Sequence, residues 1–321
     1  MRIVTVVSGG DAPGINAALY HLALQAACHG DILLGATGGF PGLLNEQIDV
    51  LNQQVLLPWI GVAGTYLRSS REPVLAQAAG QTKLADVLAR HQVDALVVFG
   101  GNGTLRHIPP LLAELGVVSI GIPTTIDNDV PGTEATLGFF SACDFAHRTI
   151  DGIRATGHAL QGRIFTLETL GGDTGYIALE VAHSAGADVV LIPEMSYEIA
   201  YVAARLKSGI EQRGQALLVY SEGLQDKQAM LDALPGLTGI RIRDSRLGHA
   251  QRGSAPSHYD RWLAAEMARQ VLAVLHDGHR SGIVCVGQGR IILRDSLVGM
   301  PPRQPDARLY RWINALPQED A

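Results

Sequence analysis

Ile3-Val4-Thr5-Val6-Val7 is a near-continuous apolar run that meets the glycine loop Gly9-Gly10-Asp11-Ala12-Pro13-Gly14, and a helical pattern follows from Asn16 to about His29. The same order returns at 94–99 (DALVVF), which enters Gly100-Gly101-Asn102-Gly103 and a helix to about Leu115. A third run, 117–122, ends in the acidic loop Pro123-Thr124-Thr125-Ile126-Asp127-Asn128-Asp129. Strands that are apolar on both faces belong in parallel sheets covered by helices. The alternation therefore predicts a doubly wound α/β domain. Such sheets carry their chemistry in the loops at the carboxyl ends of their strands.

The pattern continues beyond that loop. A helix is predicted over 139–157, a strand over 163–170, the loop Gly171-Gly172-Asp173-Thr174-Gly175, and a helix over 176–185. A strand over 188–192, a helix over 197–213 and a strand over 215–221 ending at Glu222 complete a second run of βα units. The helix at 259–276 and the strand at 283–286 return to the first domain. The expected division is 1–138 with 252–300, and 139–251 with 301–321.

With 321 residues, 47% of them hydrophobic, the chain can bury a sizeable core. A net charge of −6 gives no overall basic footprint for nucleic acid. The N-terminus lacks the apolar region and cleavage site of a signal peptide, and no apolar run approaches a membrane span. Cys28, Cys143 and Cys285 are far apart, without metal-ligand spacing. They read as free thiols in a reducing compartment, so a cytoplasmic location is expected.

In the acidic loop, one carboxylate is placed to take a proton from a substrate hydroxyl and the other to face a metal. The same residues before Val130-Pro131-Gly132 also make an ordinary turn. The glycine loops allow backbone N–H groups to approach phosphate oxygens at a helix N-terminus. Neither is a Walker A or a GxGxxG fingerprint, and plain glycine turns are the alternative. Arg243, Leu247-Gly248-His249 and Gln251-Arg252-Gly253 suit a phosphate monoester, or else form a solvated basic turn.

Taken together, these motifs resemble the ATP-dependent 6-phosphofructokinase family. The likeness rests on SGGDAPG at 8–14, Gly64-Thr65 with Arg71, GGNG at 100–103, TIDND at 125–129, Gly138-Phe139-Phe140, Arg163, Pro193-Glu194, Glu222 and LGHAQRG at 247–253. It runs nearly from end to end and implies two Rossmann-like α/β domains. It also implies that Gly9, Arg71, Glu72 and the loop Gly101-Asn102-Gly103-Thr104 bind the nucleotide. Asp127 would be the general base, with Thr125 and Arg71 beside it in catalysis. Asn102 and Asp129 would serve Mg²⁺. Thr125, Asp127, Leu170, Gly171, Gly172, Glu222, His249 and Arg252 would hold fructose 6-phosphate. Arg163 and Arg243 would reach its 6-phosphate from a neighbouring subunit of a homotetramer.

The chain departs from that pattern at several positions. Asn102 stands where the family usually has a metal-binding Asp, and Gly172 where it usually has an Arg near the transferred group. Arg68 or Arg106 is the expected replacement for that guanidinium. Thr124 matches neither the glycine of ATP users nor the lysine of pyrophosphate users, whereas Gly103 leaves room for adenosine. ATP is the expected donor, with pyrophosphate as the alternative. Tyr20, Leu24, Gln53 and Glu211 replace basic residues of the family's effector site, leaving Arg213. Weak or no activation by ADP and weak inhibition by phosphoenolpyruvate follow. Two other functions remain open: a kinase for another phosphorylated sugar, and a non-catalytic sugar-phosphate or nucleotide sensor.

Overall fold

In a computed structural model, which describes residues 1–278 and 281–317, the strands are β1 (Arg2–Ser8), β2 (Ile32–Ala36), β3 (Ile48–Val50), β4 (Ala95–Gly100), β5 (Ser119–Thr125) and β6 (Leu137–Gly138). They continue with β7 (Arg163–Thr169), β8 (Val189–Leu191), β9 (Gln215–Ser221), β10 (Ile242–Arg246), β11 (Gly282–Gly287) and β12 (Arg290–Arg294). The chain divides into two compact units. Unit 1 is Met1–Ser141 with Arg252–Arg303, and unit 2 is Ala142–Gln251 with the segment from Gln304 onward. Residues 318–321 of the expected second domain lie outside the described residues.

The changeovers fall a few residues after the expected 138 and 300. Asp260 supplies the reason at the first. It is fully buried in the helix His258–His276. Its carboxylate accepts hydrogen bonds from Gly138 N at 2.9 Å, Ser141 N at 2.8 Å and Ser141 Oγ at 2.5 Å. These bonds fix the start of the helix Phe139–Ala159 to unit 1. Burial raises the Asp260 pKa, against the pull of those donors. Asp260→Ala leaves several buried donors without an acceptor and is expected to cost about 3 kcal/mol in urea unfolding.

Unit 1 holds an eight-stranded sheet in the order β12-β11-β5-β4-β1-β2-β3, with β6 beside β5. It is parallel except for the antiparallel edges β3 and β12. Ile3, Val4 and Val6 in β1 and all the apolar side chains of β4 are fully buried, as expected for strands covered by helices on both faces. From β1 the chain moves to β2 on one side, and from β4 it moves to β5 on the other. The order reverses between β1 and β4, so both glycine loops leave the sheet at its switch point, where a crevice opens.

Unit 2 is a four-stranded parallel sheet, β10-β7-β9-β8. The loops after β7 and β9, carrying Gly171 and Glu222, leave neighbouring strand ends. Among the described residues, no helix is long and apolar enough to cross a membrane.

Candidate active site

A cavity of about 230 Å³ lies at the β1/β4 switch point. Its floor is the first glycine loop. Gly9 adopts φ 107°, and its N–H donates to Ser70 O at 3.0 Å. A Cβ at Gly10 would run into Arg252 Nη1 and stand 3.2 Å from Arg71 Nη2. Two guanidiniums therefore converge over a bare backbone. Arg252 is steadied by Asp11 O at 3.3 Å. The second glycine loop opens the helix Asn102–Glu114, whose N-cap Gly101 offers no side-chain acceptor. Its first-turn N–H groups can therefore meet an anion. Thr104 Oγ1 ties this helix to β1 by donating to Ser8 O at 3.2 Å.

The opposite wall is the loop after β5. Asn128 takes the left-handed conformation, φ 54°. Its Oδ1 accepts from Thr136 N at 3.0 Å, and its carbonyl accepts from Arg303 Nη1 at 2.8 Å. Thr136 Oγ1 donates to Thr125 O at 2.7 Å, and Asp127 N donates to Thr125 Oγ1 at 3.2 Å. The turn and the cavity wall thus coexist: Asn128 makes the turn, and Asp127 and Asp129 on either side of it line the cavity with Thr125. Burial raises the Asp129 pKa; hydrogen bonds from Asn102 and from its own backbone, with Arg106 and Arg303 nearby, oppose the rise. Thr124 spends its hydroxyl on Ile122 O at 3.0 Å and brings no cation to the cavity.

The expected guanidinium from Arg68 or Arg106 is not at the cavity. Arg106 Nε donates to Asn102 Oδ1 at 2.7 Å and Nη2 to Met300 O at 3.2 Å. Arg68 sits in a left-handed turn, φ 56°. The arginines that line the cavity are Arg71 and Arg252. A second, larger cavity of about 560 Å³ shares Gly9, Arg71, Gly103 and Thr104 with the first. It extends along Glu72 and His107 to an apolar wall of Phe40, Val74, Leu75 and Ile108, a lining suited to a base and ribose.

In unit 2, Gly171 and Gly172 have φ 151° and 59°. Their N–H groups donate to Glu222 Oε1 at 3.1 and 2.9 Å. Leu170 N donates to Gln251 Oε1 at 2.8 Å. Glu222 therefore braces the 170–172 loop with one oxygen, a role its position in the sequence did not announce. Arg243 has its pKa lowered chiefly by Arg241, with slight burial and Arg163 adding to the effect. Three arginines thus crowd together, with no carboxylate partner among the described residues. Arg241 joins this cluster because β10 pairs with β7 in parallel register, Ile242 opposite Ile164. His249 is exposed in the short turn Gly248–Ala250.

Glycine loops at a switch point, convergent guanidiniums and facing carboxylates define an α/β phosphotransferase. Residues 2–275 match the family model described as Phosphofructokinase, and the chain belongs to that family. It is 36% identical over 297 residues to the ATP-dependent 6-phosphofructokinase of Lactobacillus delbrueckii subsp. bulgaricus, covering 92% of each chain. The identity is 34% over 317 residues with the ATP-dependent 6-phosphofructokinase of Clostridium acetobutylicum, covering 98% of each. The phosphofructokinase structure from Saccharomyces cerevisiae matches with a TM-score of 0.83 at 27% identity, covering 92% of this chain and 45% of that one.

Proposed function

We propose that this chain transfers the γ-phosphoryl group of ATP to the 1-hydroxyl of fructose 6-phosphate. The observation that carries the proposal is the cavity in which Arg71 and Arg252 meet over Gly10, facing Asp127. In the proposed reaction the sugar oxygen attacks the γ-phosphorus, its proton passes to Asp127, and ADP leaves. Arg71, Arg252 and the first-turn N–H groups of Asn102–Glu114 hold the phosphates in line. Phosphoryl transfer consists mainly of such positioning and charge neutralisation.

ATP fits better than pyrophosphate. The apolar cavity beside the phosphate site has room for adenosine, and a Cβ at Gly103 would meet nothing within 4 Å. Asp129, a half-buried carboxylate on the cavity wall, fits Mg²⁺ held mostly by nucleotide phosphates and water. When bound, that ion neutralises charge on the triphosphate. The half-buried pair Arg163 and Arg243 suits the sugar's 6-phosphate, supplied across subunits of a homotetramer; Glu222, His249 and Arg252 hold the sugar itself. The three free cysteines accord with a cytoplasmic setting.

A coupled assay that crosses ATP and pyrophosphate with several sugar phosphates tests the reading. Turnover with ATP and fructose 6-phosphate is expected. The velocity should be hyperbolic in fructose 6-phosphate, with weak or no activation by ADP, because the remaining cation, Arg213, is paired with Asp188. Turnover with pyrophosphate alone would overturn the donor assignment. Binding without turnover on any combination would overturn the catalytic one.

A further inference from the structure

Resting on that reading of the cavity, we propose that Asn102 is not a metal ligand in this chain, because Arg106 occupies its side-chain oxygen and holds a fixed positive charge beside it. Asn102 and Arg106 stand one helical turn apart in Asn102–Glu114, the spacing at which side chains meet. Which end of an amide faces a neighbour is usually an assignment made from its partners. Here the partner settles it. A guanidinium can only donate, so the atom 2.7 Å from Arg106 Nε is the Asn102 oxygen.

Arg106 is fixed from its other side by Met300 O at 3.2 Å, so the guanidinium is held against the amide. An amide oxygen with a guanidinium against it is a poor ligand for a second cation. An Asp in its place would form an ion pair with Arg106 before it met a metal. Among the described residues, no group of three or more His, Cys, Asp or Glu side chains could hold a metal ion. This fits a cation that arrives on the nucleotide rather than one the protein binds alone. Arg106 is a positioning residue in this scheme, because it acts through Asn102.

The test is Mn²⁺ binding to the nucleotide-free full chain, followed by electron paramagnetic resonance. Thermal unfolding verifies that each variant is folded. Asn102→Ala should leave the weak wild-type affinity within about threefold, and Asn102→Asp alone should gain little. Asn102→Asp combined with Arg106→Met should bind at least about tenfold more tightly than Asn102→Asp, the scale on which groups around a metal ligand alter affinity. The proposal is overturned if Asn102→Ala weakens binding tenfold or more, or if Asn102→Asp alone matches the double variant. Sugar-phosphate turnover by the unmodified chain is measured separately, so failure of this proposal and failure of the kinase reading remain distinguishable.

Discussion

Asp127→Asn is expected to lower kcat by about two to four orders of magnitude, the usual contribution of a positioned general base. The substitution conserves shape. The Asp127 N–H keeps its bond to Thr125 Oγ1 at 3.2 Å, and the left-handed turn at Asn128 is untouched. In the proposed mechanism, what disappears is the ability to accept the proton of the sugar hydroxyl as the new P–O bond forms. The loss should therefore fall on kcat, with KM for ATP within about threefold of wild type, because the nucleotide phosphates are held by other groups. Steady-state kinetics on the coupled assay, with thermal unfolding to show an unchanged fold, makes the measurement. A kcat within threefold of wild type would remove Asp127 from the mechanism.

The strands that build both sheets were legible where burial is complete. The cores of β4 and β9 are continuous apolar runs, and those of β1 and β7 are broken only by the buried Thr5 and Thr166, since a strand covered on both faces has no polar side to show. The charged edge strands β10 and β12 were not, although the apolar edge β8 was. Ile242–Arg246 reads IRDSR and Arg290–Arg294 reads RIILR, because an exposed edge is kept charged against unwanted pairing. The helix Lys227–Thr238 carries Pro235 and was likewise passed over. In the site, residues directly after readable strands were legible by position, namely the glycine loops, Asp127 and Asp129. Individual hydrogen bonds were not. The i, i+4 spacing of Asn102 and Arg106 was open to inspection, but only the folded helix shows the guanidinium turned toward the amide oxygen. Glu222 suggested a sugar ligand, yet its oxygen meets two backbone N–H groups, a contact made across neighbouring strand ends.

Gly10→Ala should lower kcat/KM by about 10- to 100-fold while changing stability by less than about 1 kcal/mol, a combination that separates the site from the fold. The added methyl would strike Arg252 Nη1 and crowd Arg71 Nη2 at 3.2 Å. Both are the far ends of flexible side chains, so they can swing aside without disturbing the backbone. No left-handed φ is recorded at Gly10, in contrast to Gly9 at 107°, so alanine brings no conformational strain. The damage is displacement of cations from the phosphates. Hydrogen bonds to charged groups contribute about 1.5–3 kcal/mol each, and about 1.4 kcal/mol corresponds to tenfold in rate. Arg252→Ala should produce a loss of similar size by removing one cation outright. In the Gly10→Ala/Arg252→Ala double variant the main clash no longer exists, so its loss should stay close to that of Arg252→Ala rather than multiply. Full multiplication of the two effects would mean that the methyl acts through something other than the guanidinium above it.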